Sequence, residues 1–218
     1  MRMEEIMRHC LHTVRYVIFF VAVSLILPFP AGAADGVPLS KLRAVYKNLR
    51  TLEGRFTQVT YIKDLDKKET FKGIFYLKIP DRMRWKYTEG STDEVYLTGK
   101  EMVIDQPSES QVFISSMDGY GLSSSPLRIL LDLDELENNF NLKSRRGHIF
   151  MTPKGKKTVI DSIELVLSEN KFPLEKIRFL DRYANRTEIT FMNVKINTVL
   201  KDSLFLFTPP AGTAIIRQ

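Results

Sequence analysis

Cysteine is nearly absent from this chain. The single Cys10 among 218 residues excludes a disulfide framework and a thiolate zinc cluster. Histidine is scarce too: His9 and His12 lie close to the amino terminus, which leaves His148 alone for any histidine chemistry in the remainder. Only one long apolar run exists, residues 17–27 with Ser24 as its interruption, and it is too short to cross a hydrocarbon core of about 30 Å as a stable helix. What is present is ordinary for a folded protein. A hydrophobic fraction of 44% with 11% aromatics excludes a wholly disordered chain, and 32 Lys+Arg against 26 Asp+Glu leave a formal charge of +6. The length suits one domain.

The first residues have the layout of a secretory leader. Arg2, Arg8 and Arg15 form a positive start, Pro28 and Pro30 end the apolar run, and Ala31, Gly32 and Ala33 offer the small residues that a signal peptidase reads. Residues 1–33 are therefore expected to be a cleavable signal peptide, and 34–218 a single exported domain. Cys10 precedes the apolar run, whereas an acylated cysteine must follow it, so no lipid anchor is expected. The expected destination is the periplasm of a bacterium, with the leader removed.

From Leu39 onward, Leu42, Val45, Leu49 and Leu52 form one helical stripe with Tyr46 beside it, which predicts an amphipathic helix over 39–52, capped by Ser40. After Gly54 the period changes to two. Phe71, Gly73, Phe75, Leu77 and Ile79 share one face; after a turn at Pro80 and Asp81, Met83, Trp85 and Tyr87 alternate with Arg82, Arg84 and Lys86. That alternation predicts a half-buried antiparallel strand. Further strands are predicted at 95–97, 102–104, 112–114, 142–145, 149–151, 159–167, 174–180 and 187–196, with no βαβ rhythm between them. One interruption, a Gly- and Ser-rich loop leading into Pro126, predicts a short helix with Leu127, Leu130 and Leu131 on one face. The fold class is mainly β within α+β, a meandering antiparallel sheet that curls toward a barrel.

So much sheet with so little helix leaves a concave face that is either filled by side chains or hollow for an apolar ligand. Signals for chemistry are thin. Asp64, Asp66 and Glu69 lack the spacing of a calcium loop, Asp132, Asp134 and Glu135 fit the solvated side of a helix, and Gly155 to Thr158 lacks the earlier glycine of a phosphate loop. His148 reads as an exposed strand residue. Neither catalysis, metal nor cofactor is expected. The basic face of Arg82, Arg84 and Lys86 is read as a solvated strand face or a contact for an acidic partner, and nucleic acid is not expected outside the cytoplasm.

Several spaced features together resemble the LolA family of periplasmic outer-membrane lipoprotein carriers. They are the opening helix with Phe56, Thr57 and Gln58 after it; Lys78, Ile79 and Pro80; Met83, Arg84, Trp85 and Tyr87; Pro126 with Leu130 and Leu131; the hairpin around Asn185; and Phe205, Phe207, Pro210 and Gly212. The resemblance covers nearly all of residues 34–218. It implies an incompletely closed antiparallel β-barrel with covering helices, whose apolar cavity carries the acyl chains of lipoproteins. Met83 and Trp85 then match strand positions in the cavity, Leu127 and Leu130 the covering helix, and Tyr46 and Leu49 the first helix. Ile79 stands where many members have an arginine that holds the cover closed by hydrogen bonds. Closure here is expected to rest instead mainly on apolar contact of Leu127 and Leu130 with the sheet.

An acyl chain of roughly sixteen carbons gains about 10 kcal/mol gross on burial, much the same as a membrane offers. A carrier of this kind therefore needs an energised donor and a receptor with a better site. The resemblance implies both: an inner-membrane ABC transporter of LolCDE type and an outer-membrane receptor of LolB type, with acylated lipoproteins as cargo and the carrier as a monomer. The alternatives are the same fold binding another lipid or apolar ligand, or a sensor or interaction module.

Overall fold

The computed structural model describes residues 39–99, 101–116, 130–131, 133–155 and 158–217, with backbone only at Asp134 and Glu135. The predicted signal peptide, Leu127 and the Pro126 end of the predicted short helix lie outside these residues. Helix α1 (Leu39–Tyr46) leads into the hairpin β1 (Thr51–Ile62) and β2 (Lys67–Lys78). A meander follows through β3 (Arg82–Glu89), β4 (Glu94–Thr98), β5 (Glu101–Gln106) and β6 (Gln111–Ser116). Helix α2 (Asp134–Asn139) precedes a second meander of β7 (Phe140–Arg145), β8 (His148–Pro153), β9 (Ile160–Leu167), β10 (Leu174–Asp181) and β11 (Arg186–Ile196). The last strand is β12 (Ala214–Arg217).

These strands form one twelve-stranded sheet in the order β12-β6-β5-β4-β3-β2-β1-β11-β10-β9-β8-β7. Its ends, β12 and β7, are not paired to each other, so the expected incomplete barrel is what the chain forms. All pairs are antiparallel except β12 with β6. The two meanders meet where β1 pairs with β11, Phe56 opposite Phe191. Because side chains alternate across a strand, that register sends Phe56, Phe191 and Ile189 to one face and Val59, Glu188 and Arg186 to the other.

The inner face holds the main core. Leu52, Phe56, Phe75, Leu77, Met83 and Trp85 from β1 to β3 meet Ile149, Ile163, Leu165 and Ile177 from the second meander. Leu42 of α1 and Leu130, Leu131, Leu133 and Leu136 cover it. A smaller cluster of Tyr96, Val103 and Val112 lies on the opposite face, under Phe207 of the carboxy-terminal segment.

The opening helix is shorter than the sequence predicts. It ends at Tyr46, the 3₁₀-type bonds Asn48 N to Val45 O and Leu49 N to Tyr46 O close it, and Leu52 already belongs to β1. Leu49 and Leu52 fit the helical stripe, but the backbone around Arg50 is claimed by other elements. Ile79 N donates to the Arg50 carbonyl at 2.9 Å, Arg50 N donates to Asn197 Oδ1 at 2.8 Å, and Thr51 pairs with Lys78. Ser40 accordingly sits inside α1 rather than before it. Tertiary pairing overrides the local period here.

Candidate functional site

The candidate site is the inner face of β1 to β3 and what covers it. Alternation on β3 buries Met83 and Trp85 completely while Arg82, Arg84 and Lys86 face outward. Trp85, the chain's one tryptophan, stacks on Phe56 with ring centroids 3.8 Å apart and on Phe75 at 5.7 Å, and meets Phe191 edge-on at 6.4 Å. Each such pair adds about 0.5–1.5 kcal/mol beyond its area. Gly73 makes the stack possible: it lies opposite Phe56 on β2, and a Cβ there would come within 2.4 Å of the Phe56 ring. Side chains therefore fill the concave face at this point. A ligand that reaches Trp85 must displace these side chains or their cover.

The cover is built from α1 and the leucines around residue 130. Tyr46, half-buried at the end of α1, donates from its hydroxyl to the Leu130 carbonyl at 3.1 Å, and burial pushes the pKa of that hydroxyl up, which keeps it a neutral donor. Arg43 pairs with Glu137 of α2 at 2.6 Å, and Lys41 with Glu169 in the β9–β10 turn. Tyr46 also packs its ring 6.1 Å from Phe172. Beside this contact lies a cleft of about 400 Å³ lined by Tyr46, Ile79, Pro80, Leu131 and Leu133, with Arg43 and Lys47 at its rim.

Most of the predicted cavity residues thus come together. Tyr46, Leu49, Ile79, Met83, Trp85 and Leu130 all belong to or pack against the one inner core, while Leu127 lies outside the described residues. Leu130 is fully buried, and its carbonyl also accepts the Tyr46 hydrogen bond, a polar contact beside the mainly apolar closure expected from the sequence. A carbonyl has no signature in sequence, so only the tyrosine was open to notice. Leu131, Leu133, Leu136, Phe56 and Phe75 belong to the same core.

The outward stripe is engaged by carboxylates within the chain. Arg84 donates twice to Glu94 Oε2, at 2.9 Å from Nε and 2.7 Å from Nη2, Lys86 pairs with the other oxygen, and the Tyr96 hydroxyl donates at 2.6 Å. Arg82 and Lys78 both pair with Asp202. Burial works to push the Glu94 carboxyl up, but the hydrogen bonds from Lys86, Tyr96 and Arg84 together outweigh it and hold the group below the usual carboxylate range. A carboxyl whose pKa is lower folded than unfolded contributes stability that is present above the unfolded value, near 4.5, and is lost as pH falls through the folded value. Glu94→Gln is accordingly expected to lower the melting midpoint at pH 7 and to flatten its decline below about pH 4.5. Thermal melts of both proteins from pH 7 to pH 3 check this; parallel curves contradict it.

The only described histidine, His148, is a half-exposed strand residue whose Nδ1 lies 2.6 Å from Glu164 Oε1. No helix among the described residues is long and apolar enough to cross a membrane.

Sequence comparison places these features in a family. The profile described as "Outer membrane lipoprotein carrier protein LolA" matches residues 47–208, well over half the chain. The chain belongs to the LolA family. An outer-membrane lipoprotein carrier protein of Ralstonia nicotianae is 30% identical over 199 residues, covering 86% of this chain and 90% of the relative. One from Dechloromonas aromatica is 28% identical over 193 residues, covering 86% and 89%. Among solved structures, an uncharacterised conserved protein of Thermus thermophilus superposes with a TM-score of 0.51 at 14% identity, over 83% of this chain and 96% of that one, a likeness of fold alone.

Among the described residues, the Tyr46–Leu130 hydrogen bond joins the Arg43–Glu137 pair as a polar contact between α1 and the rest of the cover, where Ile79 offers only apolar surface to the cleft. Tyr46→Phe is expected to cost about 1 kcal/mol and to speed amide exchange at Leu130, Leu131 and Leu133 several-fold while leaving the β1–β2 hairpin unchanged. Hydrogen-exchange mass spectrometry reads both regions. Equal exchange in the variant and the parent protein contradicts the latch.

Proposed function

We propose that the chain is a periplasmic carrier chaperone that shields the acyl chains of lipoproteins between the inner and outer membranes, with residues 1–33 as a leader removed on export. The observation that carries this is the inner face itself, an apolar and aromatic surface with Leu52, Phe56, Phe75, Leu77, Met83 and Trp85, covered by Leu42 of α1 and by Leu130, Leu131, Leu133 and Leu136. Opening that cover exposes a surface to which an acyl chain adds about 0.8 kcal/mol per buried methylene. Tyr46, Leu49, Ile79, Met83, Trp85, Leu127 and Leu130 are the residues assigned to the acyl chains. Because the closed core already satisfies its own apolar groups, an empty carrier resists loading. A donor that supplies energy and a receptor that binds the acyl chains better fit this balance: an ABC transporter of LolCDE type and a receptor of LolB type.

The test is export of the full-length chain in a Gram-negative host, purification from periplasm without detergent, and native mass spectrometry. A complex with an acylated lipoprotein is the expected result. Free phospholipid alone assigns the fold another cargo, and an empty protein that refuses a triacylated lipopeptide in vitro overturns the carrier reading.

A further inference from the structure

On the sheet face opposite the core, a groove of about 570 Å³ runs across the strands from β8 to β2. Its position follows from register: Val59, Glu188, Arg178, Glu164 and Phe150 form one rung across β1, β11, β10, β9 and β8, all pointing away from Phe56 and Ile177. Apolar side chains, Val59, Leu180 and Phe150, stand along it, and Phe150 is 45% exposed. The carboxylates in the groove are already engaged. Arg178 donates to Glu188 at 2.7 Å and to Glu164 at 3.0 Å, Lys176 pairs with Glu188, and His148 pairs with Glu164. At the β2 end the balance changes. Lys68 and Arg186 flank Tyr61 as its partners on either side, both are exposed, and neither has an ion-pair partner among the described residues. An occupant therefore meets apolar walls and two uncompensated cations.

The geometry points to this groove as a docking surface for an acidic segment of a partner protein, with successive apolar side chains against Val59, Leu180 and Phe150 and carboxylates at Lys68 and Arg186. The groove spans five strand spacings, about 24 Å, and lies open along that length, which suits a chain segment better than a small molecule that a pocket must enclose. The ion pairs of Arg178 with Glu188 and Glu164 lie between Val59 and Phe150, and insertion into a bilayer would have to desolvate them. The stripe of Arg82, Arg84 and Lys86 is a weaker candidate for an acidic partner, since Glu94 and Asp202 hold it. The inference is independent of what the core carries.

The probe is a fluorescein-labelled hexapeptide alternating aspartate with leucine and phenylalanine, followed by fluorescence anisotropy, with a counterpart in which lysine replaces aspartate. The acidic peptide is expected to bind the full protein, to weaken at least about tenfold in the double variant Lys68→Glu, Arg186→Glu, and to weaken also in Phe150→Ser. Emission of Trp85 should stay constant, because the core is on the other face. No binding of the acidic peptide, equal binding of its lysine counterpart, or binding indifferent to the double variant overturns the proposal. So does binding confined to phosphatidylglycerol vesicles that depends on Lys68 and Arg186, which assigns the groove to a membrane. A peptide-induced change at Trp85 likewise overturns it by placing the peptide in the core.

Discussion

Met83→Glu is expected to lower the melting midpoint by about 10 °C or more and to abolish acyl-chain binding in whatever fraction stays folded. Met83 is fully buried, with Leu77 and Leu97 directly beside it on the neighbouring strands. A carboxylate placed there loses its hydration, a cost of several kcal/mol. For a domain of this size each kcal/mol moves the midpoint by about 2–4 °C. Burial raises the pKa of the new carboxyl, so the gap to the parent protein should narrow as pH falls from 7 toward 5. Met83→Leu, which keeps volume and polarity, should cost less than about 1.5 kcal/mol. Leu130→Glu tests the same chemistry in the cover, where Leu130 is equally buried. Unchanged lipid binding in both charged variants removes these positions from the site.

Gly73→Ala is the second large effect. An added Cβ would stand 2.2 Å from the Lys86 carbonyl oxygen and 2.4 Å from the Phe56 ring. The first of these is backbone, so β2 and β3 must part, and the second forces Phe56 off Trp85. The expected loss is about 2–4 kcal/mol, read as a fall of about 5–15 °C in the midpoint, with a changed Trp85 emission spectrum. Gly155→Ala, where the added carbon meets nothing within 4 Å, is the control and should be near neutral. Equal midpoints for the two alanine variants contradict the close packing of the aromatic stack.

Strand alternation made β3 legible residue by residue, because Met83 and Trp85 are large and apolar while Arg82, Arg84 and Lys86 are charged, and a pleated strand separates them with no further information. The end of α1 was not legible, since the bonds that fix residue 50 come from Ile79 and Asn197. Strand β12 left no period at all: Ala214–Arg217 is short, both Ile215 and Ile216 are exposed, and its parallel pairing with β6 joins segments about a hundred residues apart. The site divided in the same way. The described apolar residues assigned to the interior, Leu127 not among them, belong to or pack against the core, whereas the Tyr46–Leu130 hydrogen bond depends on a backbone carbonyl, and the carboxylates Glu94 and Asp202 that pair with the stripe depend on register and on the carboxy-terminal segment. Charge on a strand face reads as free in sequence until its partners are placed.

Acyl chains that enter the core must come to lie beside Trp85, and the single tryptophan reports that event without any label. The protein should be titrated with a triacylated lipopeptide and, separately, with the same peptide unacylated, following Trp85 emission. A saturable spectral change with the acylated peptide, absent with the unacylated one and reduced by Leu130→Glu, is the predicted result. Binding of the acylated peptide that leaves Trp85 unchanged would contradict the account, because the cargo would then lie outside the core that the fold covers.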